Sequence, residues 1–434
     1  MFLPNLFEHN AHSIPATTLP TPNFAEVDAL ASTFKPTNRE FKAASPSEVK
    51  VIISSLPSRK SPGPDGIRNK ILKRLPRIHL VALTNIINAM MRHHHFPAAW
   101  KEATVVCIPK KGKPLSSPSS FRPISLLCCL SKIAETVILN RISIFTESEK
   151  ILPDFQHGFR KKHGSCHQLL RVTEFLADNL NKKHHTSMLL LDVEQAFDRV
   201  WHNGLIYKLI KLDFPHYLIA IIRSYLADRS FKVKVGQFFS LSQPISAGVP
   251  QGSKLAPLLF NIFCYDLPCP AKIKIAQYAD DVALIHSSKL ISHSSSGLTK
   301  ALPTVLSWYY KWRLAINRTK CKAVFFSHRL VHPPPIQIGC QSIPWTNSAK
   351  YLGVVLDRKL TWRHHIDDTR NRILAAYHSL QPFFNNKVVS PRTKLRALRA
   401  IIFSISTYAI PIWGCADPKR IKQLHWRDSR ATPT

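Results

Sequence analysis

KIKIAQYADDVALIH, residues 272–286, sets two acidic side chains between two apolar runs. Runs this short, rich in Ile, Val and Leu and broken only at Ala279-Asp280-Asp281, read as two strands joined by a tight turn. Eighty-eight residues upstream, SMLLL at 187–191 is another apolar strand, and it delivers Asp192 at its C-terminal end, followed by VEQAFD. Two acids at an isolated turn are commonly a solvated type I turn. Here the flanking strands are apolar enough to be buried, and like charges roughly 4 Å apart repel by about 4 kcal/mol at an effective dielectric of 20, so a cation or a proton should fill the gap. Carboxylate oxygens suit hard divalent ions that keep substrate phosphates as further ligands, the arrangement used in phosphoryl transfer.

Between the acids lies GVPQGSKLAP, 248–257. Its glycines let backbone approach a ligand closely, and Gln251 can hydrogen-bond a sugar or a base. An ordinary Gly/Pro turn before a helix is the plainer reading.

Around this centre, strands are expected at 104–108, 187–191, 232–235, 272–278, 282–286, 323–326 and 352–356. Helices are expected at 67–96, 167–181, 204–227, 255–264, 298–313, 366–381 and 391–404, a mixed α/β (α+β) layout. The expected divisions are a poorly ordered N-terminal arm (1–46), an upstream section (47–186), a section with the acids (187–356, including a helical insertion near 204–245), and a basic helical region (357–434).

The 434 residues carry 60 Lys and Arg against 26 Asp and Glu, a formal charge of +34. Such a charge repels itself unless a polyanion offsets it, and nucleic acid is the better candidate than an anionic membrane. The longest apolar runs, such as 400–413, are interrupted and too short to span a bilayer. The start MFLPNLFEHN lacks a basic segment followed by an apolar one, so no secretion signal is read. Arg59 to Lys113 holds twelve basic residues and two acids, and Arg370 to Arg430 the same. These flanks bracket the acidic centre with positive surface. Nine cysteines without a CxxC pair read as free thiols in a reducing compartment, and the histidine clusters at 93–95, 184–185 and 364–365 as solvated surface groups.

The ordered set LDVEQAFD, AGVPQGSKLAPLLF and YADD resembles motifs A, B and C of reverse transcriptases. WKEATVVCIPKKGK, SFRPISLLCCLSKIAE and QHGFRKKHGSCHQLLRVTE upstream, with INRTKCKAVFF and KYLGVVLD downstream, are similar to non-LTR (LINE-type) retrotransposon polymerases, particularly the jockey-like group. KYLGVVLD and QHGFR favour that group over polymerases of the group II intron type.

The resemblance implies a right-hand polymerase with fingers, a ferredoxin-like palm sheet carrying helices on one face, and a helical thumb. It implies an RNA-directed DNA polymerase that takes an RNA template, a DNA primer or target DNA, and dNTPs, with two Mg²⁺ ions, or Mn²⁺, as cofactor. Asp192, Asp280 and Asp281 match the catalytic, metal-binding acids, and the carbonyl of Val193 a further metal ligand. Lys320 matches a lysine thought to protonate pyrophosphate. Phe197, beside Ala196, matches the steric gate against a ribose 2′-hydroxyl; Gln251 and Gly252 match dNTP-binding positions. Lys110 and Arg122 match residues that grip triphosphate, with Lys111 and Lys113 as alternatives to Lys110. Tyr351, Leu352 and Gly353 match the primer grip.

Lys254 after QGS, and His163-Gly164-Ser165, depart from the pattern without removing a catalytic group. A chain of this length leaves no room for the endonuclease domain and the longer C-terminal region of the group. The expectation is therefore a fragment with a truncated thumb, dependent on a nuclease supplied elsewhere and on nuclear access. The rival expectation is a catalytically decayed or co-opted copy that only binds nucleic acid through its basic flanks.

Overall fold

The structure is a computed structural model that describes residues 23–36, 41–110, 112, 114–117, 120–329, 331–339, 341–416, 418 and 421. Lys111 and Lys113 lie outside the described residues, as do most of the extreme N-terminal arm and of the last 18 positions. The chain divides into two compact units: residues 1–154, 193–267 and 306–315 form one, and 155–192, 268–305 and 316–434 the other.

The first unit is built on a sheet in the order Phe121–Leu126, Glu102–Pro109, Arg229–Val235, Phe238–Phe239, with Gln243–Ile245 also pairing Arg229–Val235. Glu102–Pro109 runs antiparallel to Phe121–Leu126 and parallel to Arg229–Val235. Its helices are shorter than the apolar patterns suggest, because proline cannot donate within a helix and clashes with the preceding turn. The run expected at 67–96 breaks at Pro76 into Asn69–Leu72 and Arg77–Arg92, and that at 204–227 breaks before Pro215 into His202–Lys211 and His216–Leu226.

The stretch read as a poorly ordered arm contains a helix, Phe24–Thr33. Asn23 caps it by accepting from the Glu26 N–H, Val27 and Ala31 are buried, and Phe24 lies edge-on to Trp201 with the Arg313 guanidinium over its ring.

The second unit holds the five-stranded sheet Trp345–Thr346, Lys322–Phe326, His185–Leu191, Asp281–Ser288, Lys274–Tyr278, in that order. His185–Leu191 is the middle strand and is antiparallel to both neighbours. On one face Met188, Ala276, Ala283, Ile285, Val324 and Phe326 form a core with Leu169, Val172, Leu176 and Leu180 of the helix Ser165–Asn181. This core continues into the hairpin Ser348–Tyr351/Val354–Asp357 and the C-terminal helices, through Tyr351, Val354, Trp362 and Trp413.

Successive strand residues point to opposite faces. Ser187 and His286, one step from Met188 and Ile285, meet Ser294 of the helix Ile291–Lys311, and a Cβ on Gly297 would stand 2.4 Å from the His286 ring. Both faces therefore carry a helix, where one was expected. Two of the histidines read as solvated are also inside: His185 hydrogen-bonds Ser327 Oγ, and His365 packs edge-on to Trp413. The imidazole ring is apolar enough to fill such sites when its polar atoms find partners.

Candidate active site

The acids come together in the second unit through strand register. The ladder pairs Leu191 with Val282, so the next antiparallel step sets Asp192 opposite Asp281. Directly opposed residues hold their Cβ atoms about 5 Å apart, a span that a divalent cation bridges. Asp280 sits in the two-residue loop Ala279-Asp280 that joins Tyr278 to Asp281. Ala279 takes φ +57° while Asp280 does not take a positive φ, the pattern of a type II′ hairpin rather than a type I turn.

Gln156 braces this loop. Its Oε1 accepts from the N–H groups of Ala279 (3.0 Å) and Gly158 (2.7 Å), and the Gln277 amide donates to the Ala279 carbonyl at 3.1 Å. Gly158 is obligatory there, since a Cβ would lie 2.4 Å from the Ala279 nitrogen.

Burial raises both hairpin carboxyls. For Asp281 the like charges of Asp280 and Asp192 add to burial and push it up to about 6; for Asp280 the like charge of Asp192 adds to burial. The Asn317 N–H donates to the Asp192 carbonyl at 2.8 Å, and the Lys320 N–H returns to the Asn317 carbonyl at 3.1 Å. That turn places Lys320 Nζ 3.6 Å from Asp192 Oδ2. Asp192, Asp281, Lys320, Lys350, Tyr351 and Leu352 line one cleft of about 130 Å³.

The turn Tyr351-Leu352-Gly353, expected at the primer, is fixed from behind. Tyr351 donates to the Ala276 carbonyl, and Tyr408 to the Leu352 carbonyl at 2.7 Å. Gly353 takes φ +85°, and a Cβ there would come within 3.0 Å of the Tyr408 ring.

The donor set at the acids is all carboxylate, which suits a hard divalent ion, and such an ion would offset the burial and like charge that raise the Asp281 carboxyl. Among the described residues, no group of three or more His, Cys, Asp and Glu side chains is already closed to metal-holding geometry. Asp192, Asp280 and Asp281 are the residues that would hold the metal, and Val193 follows Asp192 directly in the chain.

The residues expected at the nucleotide lie in the first unit. Register pairs Ile108 with Arg122, and Lys110, two residues beyond Ile108, falls on the same face of that hairpin. Phe197 stacks on Phe260, with ring centroids 4.8 Å apart and planes at 29°, while Ala196 is buried. The loop 248–253 is tied to both: the Val249 N–H donates to the Phe197 carbonyl at 2.8 Å, and the Ser125 N–H to the Gln251 carbonyl at 3.1 Å. Two glycines permit this closeness. Gly248, at φ +92°, would put a Cβ 2.6 Å from the Asp198 carbonyl oxygen, and Gly252, at φ +116°, one 2.7 Å from the Ser125 carbonyl oxygen. Lys254 is exposed, and its N–H donates to the wholly buried Glu135 at 2.7 Å.

Sequence reasoning passed over Gln156, Asn317, Glu135, Tyr408 and the role of Asp198. Gln156, Glu135, Asn317 and Asp198 stand inside the blocks QHGFR, SFRPISLLCCLSKIAE, INRTKCKAVFF and LDVEQAFD, which is the available signal; Tyr408 lies outside all of them.

A family profile described as Reverse transcriptase (RNA-dependent DNA polymerase) matches residues 108–356, more than half of the chain. The chain is 39% identical over 398 residues to the probable RNA-directed DNA polymerase from transposon BS of Drosophila melanogaster, covering 88% of this chain and 44% of that protein. It is 36% identical over 397 residues to the RNA-directed DNA polymerase from mobile element jockey of the same organism, covering 87% and 42%. The chain thus spans less than half the length of these curated relatives. Among solved structures, an apo telomerase from Candida tropicalis truncated from its C-terminal domain is similar at 15% identity and a TM-score of 0.41, over 59% of this chain and 53% of that one. Among the described residues, no helix is long and apolar enough to cross a membrane. By the profile match, the chain belongs to the reverse transcriptase (RNA-dependent DNA polymerase) family, with the right-hand polymerase fold class of that family and a jockey-like, non-LTR affinity.

Proposed function

We propose that this chain is an RNA-directed DNA polymerase of a non-LTR retrotransposon, extending a DNA primer or target-DNA 3′-end on an RNA template with dNTPs. The observation that carries the proposal is the convergence of Asp192 on Asp280 and Asp281 across one ladder step from far along the chain. Bound at these carboxylates, a pair of divalent cations, Mg²⁺ or Mn²⁺, would lower the pKa of the primer hydroxyl and neutralise charge on the triphosphate.

The chain's own side chains do the rest. Asp192 holds Lys320 as an ion pair at the cleft, where the ammonium carries a proton available to the leaving pyrophosphate. Lys110 and Arg122, on one hairpin face, offer a point charge and a guanidinium fork to the triphosphate. Phe197, backed by Phe260, excludes a ribose 2′-hydroxyl by shape, while Gln251 and Gly252 contact the nucleotide. Tyr351, Leu352 and Gly353 seat the primer end. The net charge of +34 attracts the template and primer backbones.

The test supplies the purified chain with oligo-primed RNA, dNTPs and Mg²⁺, beside an Asp280→Ala variant. Extension by the wild type alone supports the reading. RNA binding without extension by either protein would instead leave a nucleic-acid-binding module.

A further inference from the structure

Asp198 is an acid that the polymerase chemistry leaves without a task, although it closes the same short motif as Asp192. Its backbone packs against Gly248, whose N–H donates to the Val200 carbonyl two residues further on, and its carboxylate faces Gln251 of the same loop. Gln251 Nε2 stands 3.1 Å from Asp198 Oδ1 and 3.0 Å from Oδ2, so one amide group faces both carboxylate oxygens.

The two ends of a glutamine amide are alike in shape, and chemistry decides which faces a given partner. An ionised carboxylate only accepts, so it selects the NH₂ end and turns Oε1 away. The loop cannot re-aim the side chain by moving as a body. The Gln251 carbonyl is held by Ser125, the Val249 N–H by Phe197, and both Gly248 and Gly252 are packed against backbone.

We propose that Asp198 is a positioning residue that fixes the Gln251 amide with its carbonyl oxygen outward, so that this loop meets the incoming nucleotide as a hydrogen-bond acceptor. Gln251 then reads a donor on the nucleotide, either a sugar hydroxyl or a base N–H. The inference rests on the reading of Gln251 as a nucleotide contact.

The full chain tests it, as Asp198→Asn, Gln251→Ala and the double variant. An asparagine at 198 offers both a donor and an acceptor, so it no longer dictates which way Gln251 turns. In primer extension, Asp198→Asn should raise the dNTP KM by roughly 5- to 10-fold, the size of one hydrogen bond, with kcat within about twofold. Gln251→Ala should do the same, and the double variant no more than either. A KM penalty that disappears with a 2′,3′-dideoxynucleotide assigns the donor to the sugar, and one that persists assigns it to the base. An unchanged KM in Asp198→Asn, or losses that multiply in the double variant, would overturn the proposal.

A second readout needs no catalysis: the side-chain amide ¹⁵N resonance of Gln251, assigned by its loss in Gln251→Ala, should move in Asp198→Asn. If it stays in place, the positioning role is refuted. If it moves while the wild type extends no primer, the contact stands and the polymerase reading is what fails.

Discussion

Asp192 and Asp281 stand opposite one another, one step beyond the Leu191–Val282 pair of an antiparallel ladder. Backbone hydrogen bonding, not side-chain attraction, holds these two like charges together; the sheet enforces what the carboxylates resist. Burial, with the like charges of Asp280 and Asp192 added to it, raises the Asp281 carboxyl, and carboxylates so arranged would seat divalent cations.

Burying Asp281 beside these like charges has a measurable cost in the metal-free chain. Asp281 is raised from 3.8 to about 6. Its folded state therefore binds the proton more tightly than the unfolded one, and its charge destabilises the fold above about pH 6. The penalty fades as pH falls through 6 and is absent below about pH 4. Asp281→Asn should therefore stabilise the metal-free chain at pH 8 by roughly 1–2 kcal/mol, a figure discounted for partial solvent screening, and by nearly nothing at pH 4. Chemical denaturation at the two pH values decides it; a stability difference that does not change with pH contradicts the stated cause.

The gate prediction concerns Phe197 and its support. Phe197→Ala should admit ribonucleotides, and unchanged discrimination would refute the gate. Phe260→Ala, which removes the stacked ring behind the gate, should relax sugar selection less than Phe197→Ala does. The comparison is the ratio of kcat/KM for a dNTP and its ribonucleotide in each variant.

Gly248 has neither the conformation nor the room for a side chain. Gly248→Ala combines φ +92° with a Cβ 2.6 Å from the Asp198 carbonyl oxygen, and backbone on both sides of that contact must shift. A loss of about 2–3 kcal/mol in unfolding free energy is expected. Gly236, at φ +61° with nothing near its missing Cβ, is the control, and Gly236→Ala should cost less. Equal costs would show that crowding at position 248 contributes nothing.

Tyr408 ties the C-terminal segment to the turn Tyr351-Leu352-Gly353 within the second unit. Tyr408→Phe removes the donor to the Leu352 carbonyl and should lower stability by about 1 kcal/mol while weakening primer binding a few-fold and leaving the dNTP KM unmoved. Fluorescence anisotropy with a labelled primer-template reads the first effect and steady-state kinetics the second. A change confined to the dNTP KM would contradict the assignment of this turn to the primer.

What could be read in the chain and what could not divide along a physical line. The YADD hairpin was legible because period-two apolar runs and a turn are local signals, and Asp192 because an apolar strand ended on it. The breaks at Pro76 and Pro215 were legible in principle, yet the long apolar periodicity on either side overrode them. The helix Phe24–Thr33 was hidden by the prolines that precede it, although Asn23 and Glu26 are an N-cap signature. Gln156 to Ala279, Asp198 to Gln251 and Tyr408 to Leu352 span tens to hundreds of residues, and no local pattern encodes such pairings. His185 and His365 were misjudged because a run of histidines reads as polar, whereas each alternate ring in a strand or helix turn can face the core.

If Asp192 acts at the same place as Asp280 and Asp281, single-turnover primer extension by alanine variants will show it. Groups that share one catalytic unit are strongly non-additive. Asp192→Ala and Asp280→Ala should each lower the rate by roughly 10³-fold or more, and the double variant should be no slower than either. An Asp192→Ala enzyme that extends primers at nearly the wild-type rate would put Asp192 outside the catalytic unit.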